Sequence, residues 1–522
     1  MRSHSFHLEF HAHLTSVSAF HYLTRVVDTL RSSCGIPKSC RPQQLRRRVL
    51  SGLILGLALS FLALAAGAQQ NLPKMGEPAD AALSPTEERI LGAQLMRQIR
   101  ARLPLVRDVQ ITEYIQNLGN RLVLATGSAD IDNFTFFVLN DPQINAFAIP
   151  GGYVGINSGL IAAMQREEQL ASVVAHEIAH VTQRHHARAF ATGNRASLGA
   201  AAAVLAAIII GQASPQAGQA ALAAGLAATQ QSAINFTRGN EIEADRIGIE
   251  ILSNANFDAR AMAETFNILR RKNSLNTSAR ALEYLRTHPL DNNRIAEASD
   301  RASLKTAVPS APSLDFELFK ARLKVLTSTD PAQTLRELKS RFERTADMHS
   351  AYALALLATR ANNNAQALEY LSTFDGLSTA NPSVELLRAD TLQSTDAAQV
   401  KKNLASLSEL YPARFSIVEK RLDKLIEGQL LPEAQAVATR YLRNTRNPNP
   451  AAWRQLAGIQ QRLGDEASSH ESLARYFALL DELGRAKAQT ELALKEVSEG
   501  SQDALRLEAS LKQLTERAAR LR

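Results

Sequence analysis

The sequence predicts an α+β domain with a small sheet, followed by an all-α domain built from helical pairs. Short β-prone runs lie between Phe134 and Ile156, and a long amphipathic helix follows them in the run LASVVAHEIAHVTQRHH. Beyond about residue 313 the β-prone runs disappear, and helical segments separated by short polar turns take their place.

The first 68 residues have the features of an export signal. Three arginines at 46–48 precede an apolar run over 49–66, and Ala66-Gly67-Ala68 has the small-x-small form of a signal-peptidase site. We therefore expect residues 1–68 to be a leader, with an over-extended translation start as one explanation for residues 1–45. A membrane anchor is the alternative, because the apolar run approaches the length that spans a bilayer.

Charge and cysteine content exclude several classes of site. The chain has a formal net charge of +8, but eight basic and two acidic side chains lie before residue 69. The rest is nearly neutral, so a nucleic-acid partner is not indicated. Both cysteines, Cys34 and Cys40, lie in the leader, so a chain cut after Ala68 has no disulfide and no thiol. Histidine and carboxylate side chains then remain as ligands for any metal.

Two helices are expected before the sheet. Ser84-Pro85-Thr86-Glu87 is a capping box with proline at the first helical position, which predicts a helix to about Leu103. Asp108 opens a second helix with its apolar residues on one face. The β-prone runs that follow predict three strands, the last two joined by a Pro-Gly-Gly turn at Pro150.

The run Asn145, Ala146 and Phe147 is a candidate for binding an extended substrate. Pro150 and the glycines after it are typical of the edge of a sheet beside an open groove, where a peptide can pair with free backbone groups. An ordinary hairpin turn explains the same pattern equally well.

The metal-site hypothesis begins with His176, Glu177 and His180. Two histidines four residues apart project from one face of a helix and can share one metal ion. Glu177 lies one residue round the helix, where its carboxylate can act as general base on a zinc-bound water without being a ligand. A chance pattern is the alternative, but an unliganded ionisable trio is costly to bury in such apolar surroundings. His185 and His186 are expected to point elsewhere, at a solvated helix end.

A polar cluster later in the chain offers a third ligand. In a helix Glu241 and Asp245 share a face one turn apart, so one can ligate the metal and the other can accept a hydrogen bond from an imidazole N–H. A solvated acidic face is the alternative, and it is what we expect for Glu243 and Glu250.

The small-residue segment 200–228 is predicted to form a buried helical hairpin or a mobile cover over the site. Neither half is long enough to span a bilayer, and peripheral contact with a membrane or an unfolded client is a further expectation.

These motifs together resemble peptidase family M48, a family of zinc metallopeptidases. The resemblance rests on HEIAH, on the EIEAD run that starts at Glu241, on NAFAIPGGYVGI before them, and on Thr287-His288-Pro289 with Arg294 after them. It implies a zincin-like peptidase domain over residues 69–310. It also implies a Zn²⁺ cofactor bound by His176, His180 and Glu241. In the same resemblance Glu177 is the general base, and Asp245 is a carboxylate that lies behind the ligands.

The roles of His288 and Arg294 remain open within this resemblance. In one, the imidazole of His288 is a fourth ligand in a resting state and must move away before hydrolysis. In the other, His288 with Arg294 donates a hydrogen bond to the oxyanion of the tetrahedral intermediate. A surface histidine beside a proline is the third alternative. We favour the resting-state ligand, because an exported protease among unfolded clients needs restraint.

Residues 313–522 are predicted to form a tetratricopeptide-like helical repeat domain. The spacing of Trp453, Leu456 and Ala457 and the turn at Gly464-Asp465 are typical of such repeats. Repeat arrays bind partners on a concave face, so we expect this domain to dock on an envelope or outer-membrane assembly complex. A purely structural helical cap is the alternative.

The whole chain is therefore expected to be an exported zinc-dependent endopeptidase. Its layout resembles periplasmic members of the family that assist β-barrel assembly, which implies misfolded or stalled envelope proteins as polypeptide substrates in the periplasm. One alternative is a chaperone or assembly factor whose peptidase site is latent. Another is a membrane-anchored signalling protease.

Overall fold

The computed structural model describes residues 83–127, 133–192, 230–275, 282–308, 312–377, 379–392 and 397–520. The predicted leader and the small-residue segment 200–228 lie outside these ranges. No helix within them has the length and apolar character that crossing a membrane requires.

Two helices precede the sheet, and both begin where the capping signals predict. Helix α1, Pro85–Arg102, starts with a capping box: Ser84 N donates to the Glu87 carboxylate at 2.7 Å, and Glu87 N donates to the Ser84 hydroxyl at 3.3 Å. Helix α2, Val109–Leu124, starts at Asp108, which accepts a hydrogen bond from Ile111 N at 3.1 Å. The local sequence alone therefore determines where these helices begin.

A three-stranded sheet follows, with β3 in the centre. Its strands are β1 Thr135–Leu139, β2 Ala146–Ile149 and β3 Tyr153–Asn157, in the order β1-β3-β2. Strand β3 is parallel to β1 and antiparallel to β2. The turn between β2 and β3 requires glycine: Gly152 has φ +85°, and a Cβ there would lie 2.0 Å from the carbonyl oxygen of Asn133. The three predicted strands are confirmed, and β2 is an edge strand.

Helices complete the peptidase part around the sheet. In the described residues these are α3 Ser158–Ala163, α4 Glu167–Thr182, α5 His185–Thr192, α6 Gln230–Asn254, α7 Ala261–Ser274, α8 Glu283–Thr287 and α9 Asn292–Ser303. Alternate strand residues face opposite sides. Phe137 and Phe147 pack towards α1, whereas Ala146 and Val154 face a core that includes α2 and α4. The HEIAH helix α4 is therefore held between the sheet and the later helices.

The rest of the chain is helical, as predicted. In the described residues the helices are α10 Leu314–Thr327, α11 Pro331–Thr345, α12 Met348–Arg360, α13 Asn364–Leu371, α14 Pro382–Leu392, α15 Ala397–Leu410, α16 Phe415–Glu427, α17 Leu431–Asn444, α18 Pro450–Arg462, α19 Glu466–Leu479, α20 Leu483–Lys495 and α21 Gln502–Arg520, with a 3₁₀ turn at Ser372–Phe374. Consecutive helices pack on one another and bury small cores between them.

Helix α10 joins the two parts. Its residues Phe316 and Phe319 are buried in the peptidase core, while Leu318 and Val325 are buried in the first core of the helical part. Each fully buried side chain of this size contributes about 1.5–3 kcal/mol. The first helix after the predicted boundary therefore belongs to both cores, and the described residues form one compact unit.

An ion pair reinforces this junction. Arg322 of α10 donates to Asp108 through Nε at 2.8 Å and through Nη2 at 2.6 Å. Asp108 also caps α2, so one carboxylate links the start of that helix to the helical part. At a second contact, Nη1 of Arg100 on α1 donates to the carbonyl oxygen of Leu480 at 3.0 Å.

Candidate metal centre

The centre is built on α4, whose HEIAH residues are in the protein interior. His176 and Glu177 are at most 1% exposed, and His180 is 7% exposed. Burying three ionisable side chains is costly unless each finds a partner. The helices packed around α4 supply partners for the two histidines.

Four predicted residues converge on one point. The Nε2 atoms of His176 and His180 are 3.0 Å apart. Glu241 of α6 approaches each of these atoms to 3.4 Å. Nδ1 of His288, which follows α8, lies 3.3 Å from Nε2 of His176 and 3.1 Å from Oε1 of Glu241. The four potential ligand atoms all lie within 4.8 Å of one another.

This donor set suits a zinc ion. Three imidazole nitrogens and one carboxylate oxygen are the ligand types that zinc prefers, and four ligands match its tetrahedral coordination. All four side chains are buried, and such closely spaced acceptors are unfavourable without a cation between them.

Asp245 and Arg294 lie behind the ligands. Oδ1 of Asp245 is 3.0 Å from Nδ1 of His176. Arg294 donates to both oxygens of Asp245, at 2.7 and 2.8 Å, and its Nη1 lies 2.9 Å from Oε2 of Glu241. Burial by itself raises the pKa of Asp245, but the hydrogen bonds from His176 and Arg294 hold that pKa below its ordinary value. One cation thus contacts both carboxylates.

The two helix histidines differ in proton affinity. Burial favours neutral His176, but hydrogen bonds to Asp245 and Glu241 outweigh it and raise the pKa of His176 to about 10. Burial holds the pKa of His180 well below its ordinary value, and the charges on His176 and His288 lower it further. The close packing therefore does not allow all the imidazoles to be charged together.

Glu177 lies beside the cluster without joining it. Its Oε1 is 3.5 Å from Nε2 of His288 and has no hydrogen-bond partner among the residues described. A buried carboxylate oxygen without a partner is expensive to maintain. Such a group is suited to accepting a proton from a molecule that enters the site.

Tyr284 is a neighbour of the site that the sequence reasoning missed. Its ring stacks on that of His288, with centroids 4.8 Å apart and planes 29° apart. Its backbone N donates to Ile144 O at 3.2 Å, which links α8 to the segment leading into β2. The available signal was the spacing of four residues between Tyr284 and His288 in EYLRTHP.

The expectation for His185 and His186 is wrong. His185 is 4% exposed, and its Nδ1 lies 2.9 Å from Nδ1 of His180. His186 is partly buried instead of solvated, and burial lowers its pKa to about 4. Helix α4 ends at Thr182, and Arg184 has φ +51°, so the chain turns back towards the site instead of continuing straight.

The expectation of a solvated face is confirmed for Glu250, whereas Glu243 is only partly exposed and is also paired. Oε2 of Glu243 lies 3.2 Å from Nε2 of His185 and 3.0 Å from Nη1 of Arg188. Glu250 is exposed and pairs with Lys305. Glu243 is paired because the turn after α4 brings α5 against α6 at this residue.

The candidate substrate strand has one edge that β3 does not use. Asn157 N donates to Asn145 O at 3.0 Å, so these residues form a hydrogen-bonded antiparallel pair. Because such pairs alternate along a strand, the backbone groups of Ala146 and Ala148 point to the free edge. The ring of Phe147 packs into the core between the sheet and α1. The ring of His186 donates a hydrogen bond to the backbone of Ala148, which occupies part of that edge.

The profile of peptidase family M48 matches residues 110–302. That range contains the four converging residues, Glu177, and the pair Asp245 and Arg294.

Similar proteins extend the match beyond this range. The chain is 34% identical to the beta-barrel assembly-enhancing protease of Escherichia coli (strain K12) over 481 residues, 90% of this chain and 97% of the relative. It is 42% identical to the putative beta-barrel assembly-enhancing protease of Vibrio cholerae over 273 residues, 52% of this chain and 56% of the relative. It is 31% identical to the mitochondrial metalloendopeptidase OMA1 of Schizosaccharomyces pombe over 189 residues, 36% of this chain and 52% of the relative.

Proposed function

The chain belongs to peptidase family M48, and on that basis we propose that it is an exported zinc endopeptidase acting on envelope proteins. The observation that carries the proposal is the buried convergence of His176, His180, Glu241 and His288, with Glu177 beside it. The resemblance predicted from the motifs is confirmed by the family match. The zinc ion, the catalytic steps and the substrates are our proposals.

The metal is proposed to be one zinc ion on His176, His180 and Glu241. Bound there, zinc supplies a Lewis acid that polarises a carbonyl and lowers the pKa of water. Oδ1 of Asp245 lies 3.0 Å from the remote nitrogen of His176, which supports a role in holding that ring in place. Arg294 is engaged by Asp245 and Glu241, which favours an orienting role over donation to an oxyanion.

Glu177 is proposed as the general base. Its carboxylate takes the proton from the attacking water and passes it to the leaving amine, so no net proton is lost or gained. Its burial and its partnerless Oε1 support this role, since that oxygen is free to accept a proton from an entering water.

His288 is proposed to hold the site in a resting state. Its Nδ1 lies where a fourth ligand would be, and its Nε2 faces Glu177. Stacking on Tyr284 supports that position. Substrate hydrolysis then requires the ring of His288 to move away, since substrate and imidazole compete for the same space.

An extended substrate is proposed to pair with the free edge of β2. The backbone N–H and C=O groups of Ala146 and the N–H of Ala148 are the available positions in the strand register. This refines the candidate run Asn145 to Phe147, because Asn145 and Phe147 direct their backbone groups towards β3.

The substrates are proposed to be misfolded or stalled outer-membrane proteins in the periplasm. Support comes from the beta-barrel assembly-enhancing proteases, because the similarity to the Escherichia coli relative extends through the helical part. The tetratricopeptide-like part is proposed to dock on the assembly complex. A chaperone with a latent peptidase site is the second candidate, and the position of His288 among the ligands favours it.

The test uses purified full-length protein and its Glu177→Gln variant. We expect the variant to keep its zinc and to lose hydrolysis of an unstructured peptide, because only the base is removed. Glu250→Gln, a change at the exposed glutamate of α6, is the control. In cells, stalled outer-membrane proteins should accumulate with Glu177→Gln. Full hydrolysis by a pure Glu177→Gln sample rejects the mechanism, and wild-type protein without zinc rejects the metal assignment.

A further inference from the structure

We propose that His185 is a positioning residue for the metal centre: Nδ1 of His185 accepts a hydrogen bond from Nδ1–H of His180 and thereby fixes the tautomer of that ligand. This inference rests on the zinc site proposed above. It assigns a role to a side chain outside the four ligand residues.

The orientation of the His180 ring sets the direction of the hydrogen bond. Nε2 of His180 faces the cluster, 3.0 Å from Nε2 of His176 and 3.4 Å from Oε1 of Glu241. Nδ1 points the other way and lies 2.9 Å from Nδ1 of His185. An imidazole that binds metal through Nε2 carries its proton on Nδ1. His180 is therefore the donor, and His185 must accept.

The second nitrogen of His185 completes the arrangement. With Nδ1 accepting, neutral His185 carries its proton on Nε2, which lies 3.2 Å from Oε2 of Glu243. Arg188 lies 3.0 Å from the same oxygen and favours the ionised carboxylate. The donors therefore run in one direction, from His180 to His185 to Glu243, and the arginine balances the charge.

The two helix ligands then have equivalent support. The remote nitrogen of His176 faces Asp245 at 3.0 Å, and the remote nitrogen of His180 faces His185 at 2.9 Å. Partners of this kind hold a ligand ring at the angle that the metal needs and keep the correct nitrogen free.

The turn after α4 makes this contact possible. On a straight helix, five residues would carry His185 about 140° round the axis from His180. Instead, Arg184 adopts φ +51°, a conformation that residues with a Cβ rarely adopt. Its guanidinium donates to Glu88 at 3.1 Å and to Leu83 O at 2.6 Å, which anchors the turn to the start of α1. The chain thus maintains an uncommon backbone conformation that returns His185 to the site.

Two substitutions at this position separate the hydrogen bond from the space that the ring fills. Asparagine places an amide oxygen near the position of Nδ1 and can still accept from His180. Glutamine reaches the position of Nε2 and leaves the Nδ1–H of His180 without an acceptor. We expect His185→Gln to weaken zinc binding by about 10- to 100-fold and His185→Asn to stay within about threefold of the wild type.

The measurement is the zinc dissociation constant of the full-length protein, obtained by competition with a chromophoric chelator, together with thermal unfolding of the metal-free protein. His349→Gln is the matched control, since His349 is a buried histidine of α12 that lies 3.2 Å from Glu317. The control should bind zinc like the wild type.

A second variant keeps the test decisive if His185→Gln does not fold. Glu243→Ala removes the acceptor of the His185 Nε2–H at a partly exposed position, and it should weaken zinc binding by about 10-fold. Equal zinc loss in the glutamine and asparagine variants, or wild-type affinity in His185→Gln or in Glu243→Ala, overturns the inference. Wild-type protein that binds no zinc overturns the proposed function instead.

Discussion

Nε2 of His288 lies 3.5 Å from Oε1 of Glu177, while Nδ1 of the same ring lies 3.3 Å from Nε2 of His176. One imidazole therefore lies both among the proposed ligands and beside the proposed base. A substrate carbonyl and its attacking water need those same two positions. Under the proposed function, His288 therefore closes the reactive side of the metal site.

Removing that ring should activate the enzyme. We expect His288→Ala to raise hydrolysis of an unstructured peptide and to increase self-cleavage, compared at equal zinc occupancy. His470→Ala, a change at a histidine of α19 that pairs with Gln489, is the control. A fall of about 100-fold without added self-cleavage would instead assign His288 to the oxyanion, and an unchanged rate would leave it without a role in the chemistry.

Glu241 should be required for the metal. Glu241→Ala removes the carboxylate from the ligand set and leaves histidines alone, so zinc content at low free metal should fall strongly. Glu250→Ala, on the exposed side of the same helix, should keep its zinc. Metal analysis of the two purified variants makes the comparison. Full zinc in Glu241→Ala contradicts the ligand assignment.

The ion pair at the junction should contribute more to stability than an exposed pair on the same helix. Arg322→Ala leaves the carboxylate of Asp108 without its partner and should lower the free energy of unfolding by on the order of 3 kcal/mol. Lys324→Ala breaks an exposed pair with Glu337, which solvent screens, and should have a much smaller effect. Urea unfolding measures both. Equal effects would show that Arg322 does not stabilise the junction.

Glu419 on α16 should make stability depend on pH. Burial, together with the charge of Asp423, raises the pKa of Glu419 to about 7. Because this carboxyl group has a higher pKa in the folded protein than in the unfolded chain, its contribution to stability is fully present below the unfolded-state pKa. That contribution to the free energy of unfolding is lost as the pH rises towards 7.

The matching variant is Glu419→Gln, which cannot ionise. We expect Glu419→Gln to have a higher melting temperature than the wild type. The difference between the two proteins should be larger at pH 8 than at pH 4.5. Glu409→Gln, a change at an exposed position on α15, is the control for the loss of one charge. A difference that does not change between these two pH values rules out ionisation of Glu419 as the cause.

Much of the peptidase part could be predicted because its signals are local. The capping residues Ser84 and Asp108 specify where helices begin, and Pro150 with its glycines specifies the turn beside the edge strand. The spacing of His176 and His180 places both on one helical face whatever the rest of the chain does. These features depend on neighbours within a few residues.

The contacts that the sequence did not predict depend on where separate helices meet. The left-handed turn at Arg184 redirected His185 into the site, and no spacing rule for a straight helix anticipates it. The stacking of Tyr284 on His288 and the sharing of α10 between two cores likewise need elements that are far apart in the chain.

By itself, the sequence determined the chemistry of this protein: which side chains can hold a metal, which can act as a base, and where strands give way to helices. Periodicity and capping are enough for this, because they follow from backbone geometry over one or two turns. Only the tertiary structure decided how those groups are arranged, namely that Arg294 lies between two carboxylates and that His288 lies between His176 and Glu177. Such positions follow from the packing of distant segments, whose contacts local sequence does not encode.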